Sequence, residues 1–212
     1  MEADFWHKKW AANSIGFHQE EANPLLVKYF DELALGQGSR VFLPLCGKTL
    51  DIAWLRSKGH RVVGSELSEL AIEQLFTELG EKPAVSEKGA LKQYSAKDID
   101  IFVGDFFDLT PDILGPVDAC YDRAALVALP EAMRQKYSKH LTKLTNTAPQ
   151  LLICFEYDQN LMEGPPFSVN ADEVRQHYAG NYEVTCIGNE FCSDGLKGQW
   201  DVTEDVWLLR KG

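Results

Sequence analysis

Three carboxylates and one arginine stand at positions where an α/β chain keeps its chemistry. Glu66 closes the run Arg61-Val62-Val63-Gly64-Ser65-Glu66. Asp105 lies in Gly104-Asp105-Phe106-Phe107-Asp108, just after an apolar stretch, and Asp122 and Arg123 follow the mostly apolar residues 116–121. A carboxylate at a strand end accepts hydrogen bonds from ribose hydroxyls or an adenine amine, and a guanidinium presents a planar fork to an anion. Each position also has a plainer reading. Glu66 can be a solvated strand-end side chain, Asp105 part of an ordinary turn with Phe106 and Phe107 in the core, and Asp122 with Arg123 a structural ion pair.

Gly47-Lys48-Thr49 invites a phosphate-binding reading that its surroundings oppose. A P-loop needs a second glycine five residues before Gly47 so that the backbone can wrap phosphates, and that residue is Phe42. A dinucleotide fold needs G-x-G-x-x-G at the start of the helix, and this stretch holds one glycine. Glu66, 21 residues beyond Leu45, matches the acidic residue that meets the ribose about 20 positions on. A ribose clamp without a phosphate cradle describes a nucleoside ligand that carries no phosphates, and S-adenosyl-L-methionine is the common cofactor of that kind. Asp105 would then accept from the adenine amine while Phe106 or Phe107 packs on the ring. Trp6 and Trp10 are four apart and share a helix face. With Phe5 and Phe17-His18-Gln19 they form either a packing cluster or a lid over a sulfonium cation and an aromatic substrate. His18 alone does not establish a base.

The elements that must position these residues alternate between strand and helix. Asn23-Pro24 is an N-cap with a first-turn proline, followed by Leu25, Leu26, Tyr29, Phe30 and Leu33 at helical spacing. Arg40-Val41-Phe42-Leu43-Pro44-Leu45 predicts a buried strand, residues from about Thr49 to Gly59 a helix, and 61–66 a second strand. Ser68 caps a helix bearing Ala71, Ile72, Leu75, Phe76 and Leu79. Residues 81–97 support nothing beyond a hairpin. Strands follow at 99–103 and 116–121, then a helix opening at Pro130, a central strand at 150–157 around the all-apolar residues 151–155, a helix capped by an Asn170/Glu173 box, and strand-like runs at 182–190 and 206–210. This order predicts a Rossmann-like, doubly wound, mostly parallel sheet that ends in an antiparallel hairpin, with a ligand crevice beyond the carboxyl ends of the strands.

Composition narrows the function further. The 212 residues carry 21 Lys and Arg against 32 Asp and Glu, a net charge of −11, which opposes nucleic-acid binding because that affinity comes from basic residues on phosphates. A soluble protein with a small-molecule partner fits better. No apolar stretch approaches the ~18 residues of a membrane span, and Met1-Glu2-Ala3-Asp4 lacks a signal peptide's basic start. The expectation is one cytoplasmic domain over residues 1–212, with 1–22 as an aromatic lid. Five cysteines, odd in number and without C-x-x-C, read as reduced thiols, and no residue is assigned to a metal.

Several pieces together are more specific: Trp6-x-x-x-Trp10, Phe17-His18-Gln19, Val41-Phe42-Leu43-Pro44-Leu45-Cys46-Gly47-Lys48, Val62 to Glu69, Asp122-Arg123-Ala124-Ala125-Leu126-Val127-Ala128 and Gly164-Pro165-Pro166-Phe167. In this order they resemble the thiopurine S-methyltransferase family, in its compact bacterial form. The resemblance implies a class I S-adenosyl-L-methionine-dependent methyltransferase fold with a seven-stranded sheet. It implies that Trp10, Leu45, Glu66 and Arg123 contact the cofactor, with Asp105 and Phe106 at the adenine. Trp6 and Phe17 become the lid and substrate wall, and Arg123 also faces the substrate. A second substrate-side arginine of the family, before the late Trp, has only Lys197 as a stand-in. In the implied reaction Arg123 holds an anionic thiol and Asp122 orients Arg123. With a net charge of −11, local cations such as Arg123 and Lys197 must reverse the field at the pocket mouth. The acceptor is a small aromatic or heterocyclic thiol, or a selenium or tellurium species, and the unit is a monomer. The competing classes are an NAD dehydrogenase, an NTPase and a non-catalytic nucleotide-binding module.

Overall fold

Short aliphatic runs, each ended by a Gly, Pro or polar turn, supply the strands, and the helices between them bury one apolar stripe each. The computed structural model describes residues 3–192 and 202–212. In chain order the elements are α1 (Ala3–Ala11), α2 (Pro24–Tyr29), β1 (Arg40–Leu43), α3 (Asp51–Ser57), β2 (Arg61–Glu66), α4 (Glu69–Glu78), β3 (Ala84–Lys88), β4 (Leu91–Ala96) and β5 (Ile99–Val103). There follow α5 (Pro111–Leu114), β6 (Ala119–Arg123), α6 (Glu131–Leu144), β7 (Gln150–Glu156), α7 (Ala171–Tyr178), β8 (Tyr182–Phe191) and β9 (Thr203–Lys211).

The strands form one mixed sheet in the order β3-β4-β5-β2-β1-β6-β7-β9-β8. β5, β2, β1, β6 and β7 are parallel, while β9 and β8 add antiparallel strands at one end. The expected seven strands are therefore present, and two more extend the sheet beyond β5. These are the antiparallel pair β3 and β4, the hairpin of residues 81–97. Every residue of β3 is exposed, so it carries no inward periodicity, and β4 turns only Leu91 and Tyr94 into the core.

Alternation along the central strands divides the core between the two faces of the sheet. Val41, Leu43, Tyr121, Leu151 and Ile153 belong to one buried cluster. Phe42, Cys120, Leu152 and Cys154 belong to the other. From β1 the chain winds outward to β2 and β5, then returns to β6 on the other side, which makes the β1/β6 boundary the point where the winding reverses. Loops diverge there at the carboxyl ends of the strands.

Local chemistry explains the helix starts. Asn23 Oδ1 accepts from Leu25 N and Leu26 N, with Pro24 in the first turn. The Ser68 hydroxyl accepts from Ala71 N. The expected capping box at Asn170 is half made. Its side chain accepts from Glu173 N at 3.0 Å, but the Glu173 carboxylate turns away to Arg134, at 2.5 and 2.9 Å. A bidentate charged pair outcompetes the return bond to a backbone amide. The strand expected at 116–121 starts later and runs to Arg123, with a consequence for the site.

Candidate active site

The loop after β1 is built around two residues in the left-handed region, Leu45 at φ 46° and Gly47 at φ 53°, and the turn after β6 contains Ala124 at φ 60°. For leucine and alanine that conformation costs about 1–2 kcal/mol each. Hydrogen bonds to β2 hold the first loop in place: Cys46 N donates to Ser65 O at 2.8 Å and Gly47 N to Glu66 Oε2 at 2.8 Å. The other oxygen of Glu66 accepts from Ser68 N at 2.8 Å. Glu66 is 6% exposed, so it is not the solvated strand-end residue of the plainer reading. Burial pushes its carboxyl up, and the N–H groups of Ser68, Gly47 and Leu67 and the neighbouring His7 offset part of that rise. Each carboxylate oxygen has two acceptor directions, so the two backbone bonds leave capacity for further donors.

The N-terminal segment covers this loop. Trp6 and Trp10 both meet Phe17 edge-on, at ring-centroid distances of 5.9 and 5.6 Å. Trp10 is buried, and a Cβ on Gly47 would lie 3.0 Å from its ring, so only glycine lets the loop approach the indole this closely. Arg123 Nη1 donates to Phe17 O at 3.1 Å, tying the end of β6 to the lid. Trp10, Leu45, Glu66, Phe17 and Arg123 are thus brought to one loop cluster, which half-buried Trp6 joins through Phe17. His18 is half-buried, and burial together with the Lys48 charge lowers its pKa.

Beside Glu66, a crevice of about 480 Å³ opens at the ends of β2 and β5, within the size range of small-ligand sites. Leu67, Ser68, Val103 and Gly104 line it, together with His7 of α1 and Ala90 and Lys92 of the β3/β4 hairpin. Lys92 is tethered to Glu69 at 2.7 and 2.9 Å, and Tyr94 donates to the same carboxylate at 2.6 Å. Sequence reasoning missed His7 and Lys92. His7 lies one turn before Trp10, a detectable signal once a helical lid is posited. Lys92 carried none.

Two expected placements need correction. Asp122 and Arg123 do not pair. Both belong to β6, where successive side chains point to opposite faces. Asp122 is fully buried, accepting from the Tyr137 hydroxyl at 2.7 Å and from Leu126 N at 3.1 Å, and burial raises its carboxyl to about 6. Phe106 is 5% exposed, its ring 5.0 Å from those of both Tyr137 and His140, which makes it core rather than crevice wall. Phe107 is half-buried under the Lys136 ammonium, 4.0 Å from its ring centre. Asp105 is exposed and caps the turn Phe106–Asp108, accepting from Phe107 N at 2.9 Å. The expectation for Lys197 lies outside the described residues. Cys46, Cys120 and Cys154 are buried thiols, and Cys186 is an exposed one. Among the described residues no helix is long and apolar enough to cross a membrane.

The family model for thiopurine S-methyltransferase matches residues 1–211. The chain is 57% identical over 212 residues to the thiopurine S-methyltransferase of Xanthobacter autotrophicus, covering 100% of both chains. It is 49% identical over 211 residues to that of Teredinibacter turnerae, covering 100% of this chain and 98% of the relative. Solved structures share the fold at low identity. A SAM-dependent methyltransferase from Anabaena variabilis has a TM-score of 0.67 at 16% identity, covering 98% of this chain and 95% of that one. A Burkholderia thailandensis 1,6-didemethyltoxoflavin-N1-methyltransferase, solved with S-adenosylhomocysteine, has a TM-score of 0.65 at 15% identity, covering 99% and 87%.

Proposed function

The chain belongs to the thiopurine S-methyltransferase family, and on that premise we propose that it transfers the methyl group of S-adenosyl-L-methionine to the sulfur of thiopurines and related aromatic or heterocyclic thiols. The observation that carries the site is the buried Glu66 carboxylate, held by two backbone N–H groups and set directly before Leu67 and Ser68, which line the crevice. Gly47 adds close backbone approach, and Phe42 in place of a P-loop glycine keeps the loop from wrapping phosphates. A nucleoside sulfonium fits this donor and acceptor set. When bound, S-adenosyl-L-methionine supplies an electrophilic methyl group on a positively charged sulfur.

The residues divide the remaining work. Glu66 accepts from the ribose hydroxyls. Trp10 and Leu45 wall the cofactor, with Asp105 accepting at its adenine edge. Trp6 and Phe17 cover the acceptor and exclude water. Arg123 holds the thiolate by charge and by its planar fork, so no strong base is needed. Because opposite charges neutralise each other during transfer, alignment and water exclusion contribute more than stabilisation of new charge. Asp122 acts at a distance: its bond to Leu126 N fixes the turn that follows Arg123. The unit is read as a monomer and a single domain over 1–212, with 1–22 as a lid that packs on the loop after β1 through Trp10 and Phe17. The buried thiols of Cys46, Cys120 and Cys154 suit a reducing, cytoplasmic setting.

Titration with S-adenosyl-L-homocysteine, NAD and ATP, followed by tryptophan fluorescence, tests the cofactor assignment. The homocysteine product is expected to bind and to change the Trp6 and Trp10 emission. Binding of NAD or ATP instead would overturn it.

A further inference from the structure

The acceptor side holds a second charged residue that the sequence did not single out. Strand register places Arg123, Ile153 and Val206 in one row across β6, β7 and β9. Side chains alternate, so Glu204, two residues from Val206, lies on the same sheet face as Arg123. β9 runs antiparallel to β7 and pairs Glu204 with Phe155, so that step, about 7 Å, leads toward the carboxyl ends of β6 and β7, where Arg123 meets Phe17 of the lid. Glu204 is half-buried, and the Cys192 thiol donates to its Oε2 at 3.5 Å. Burial raises the Glu204 carboxyl, and the Arg123 guanidinium pulls it back. Both groups also act on the Tyr121 hydroxyl, on the same face.

Despite this proximity, Arg123 and Glu204 form no ion pair with each other, and Arg123 Nη1 is directed to Phe17 O of the lid. A guanidinium and a half-buried carboxylate that share a face without closing on each other match a flat ligand with two unlike edges. One edge is anionic and the other presents an N–H. A thiopurine anion has both, a thiolate sulfur and an imidazole-ring N–H, whereas a simple aryl thiolate has only the first.

We propose that Glu204 is a specificity-determining residue of the acceptor site, its carboxylate accepting a ring N–H of the thiopurine whose sulfur Arg123 holds. This rests on the family activity proposed above. The test compares mercaptopurine, which carries ring N–H donors, with thiophenol, which has none, in the wild-type chain and in Glu204→Ala and Glu204→Gln. Removing a charged acceptor is expected to lower kcat/KM for mercaptopurine by about 10- to 100-fold, mostly through KM, with thiophenol unaffected. Glu204→Gln keeps a carbonyl acceptor and is expected to lose less. S-adenosyl-L-homocysteine affinity should match wild type in both variants, which separates the effect from misfolding. Equal losses for the two acceptors, or no loss for mercaptopurine, would overturn the role of Glu204 alone. A wild-type chain that methylates neither acceptor would refute the transferase activity itself, and this role with it.

Discussion

Replacing Glu66 by glutamine separates the two tasks assigned to that carboxylate. Glu66 accepts Gly47 N and Ser68 N, both at 2.8 Å, one on each oxygen. Glutamine keeps one carbonyl, so one of the two backbone N–H groups would face an amide donor in a buried setting. Loss of a charged hydrogen bond costs about 1.5–3 kcal/mol. Neutralising a carboxyl whose burial raises its pKa returns part of that cost, leaving a net loss of about 1–2 kcal/mol. For a chain of this length each kcal/mol lowers Tm by about 2–4 °C, so thermal unfolding should fall by roughly 2–8 °C. Cofactor binding should weaken separately. Bonds from ribose hydroxyls to a carboxylate contribute about 1–3 kcal/mol, or roughly 5- to 150-fold in Kd. Calorimetric titration with S-adenosyl-L-homocysteine, beside melting of the ligand-free protein, reads both quantities. A lowered Tm with wild-type affinity would make Glu66 a structural clasp and refute the ribose role. Wild-type values for both would refute the inferred hydrogen bonding as well.

Other consequences follow from the same geometry. Arg123→Lys keeps the charge but loses the planar fork and the bond to Phe17 O; turnover of anionic thiols should drop by about 10-fold or more, and unchanged steady-state rates would remove the fork from the account. Asp122 titrates near 6 when folded against 3.8 ordinarily. A carboxyl raised on folding stabilises the protein below its unfolded value and loses that contribution as pH rises through the folded value. Between those limits this amounts to about 3 kcal/mol. Asp122→Asn should therefore flatten urea stability between about pH 4 and pH 7, and parallel wild-type and variant curves would contradict the burial argument. Gly104 has φ 140°, and a Cβ there would sit 2.6 Å from the Leu91 side chain. Gly104→Ala should cost about 1–3 kcal/mol and weaken S-adenosyl-L-homocysteine binding, since the residue lines the crevice; a wild-type melting curve would show that the β4 end yields freely.

Where local chemistry decides the structure, the sequence was legible. Asn23-Pro24 and Ser68 start helices through bonds within three residues, and the unbroken apolar run of β7 is buried on both faces. Register and strand length were the weak points. Ending β6 at Tyr121 puts Asp122 and Arg123 in a turn, where they could meet; extending it to Arg123 sends them to opposite faces. Phe106 and Phe107 are equivalent by type, and only the cap at Asp105 decides which enters the core. β3 hid because an edge strand with both faces exposed has no apolar period. Glu204 was invisible because its partner in the site, Arg123, is joined to it only through the pairing of three strands.

The most direct test of the central claim is transfer of a labelled methyl group from S-adenosyl-L-methionine to mercaptopurine by the purified chain. The account predicts a labelled S-methyl product that accumulates in step with S-adenosyl-L-homocysteine. Binding of the homocysteine product without transfer to any thiopurine or aryl thiol would contradict it, and would leave a nucleoside-binding module with the fold of an enzyme.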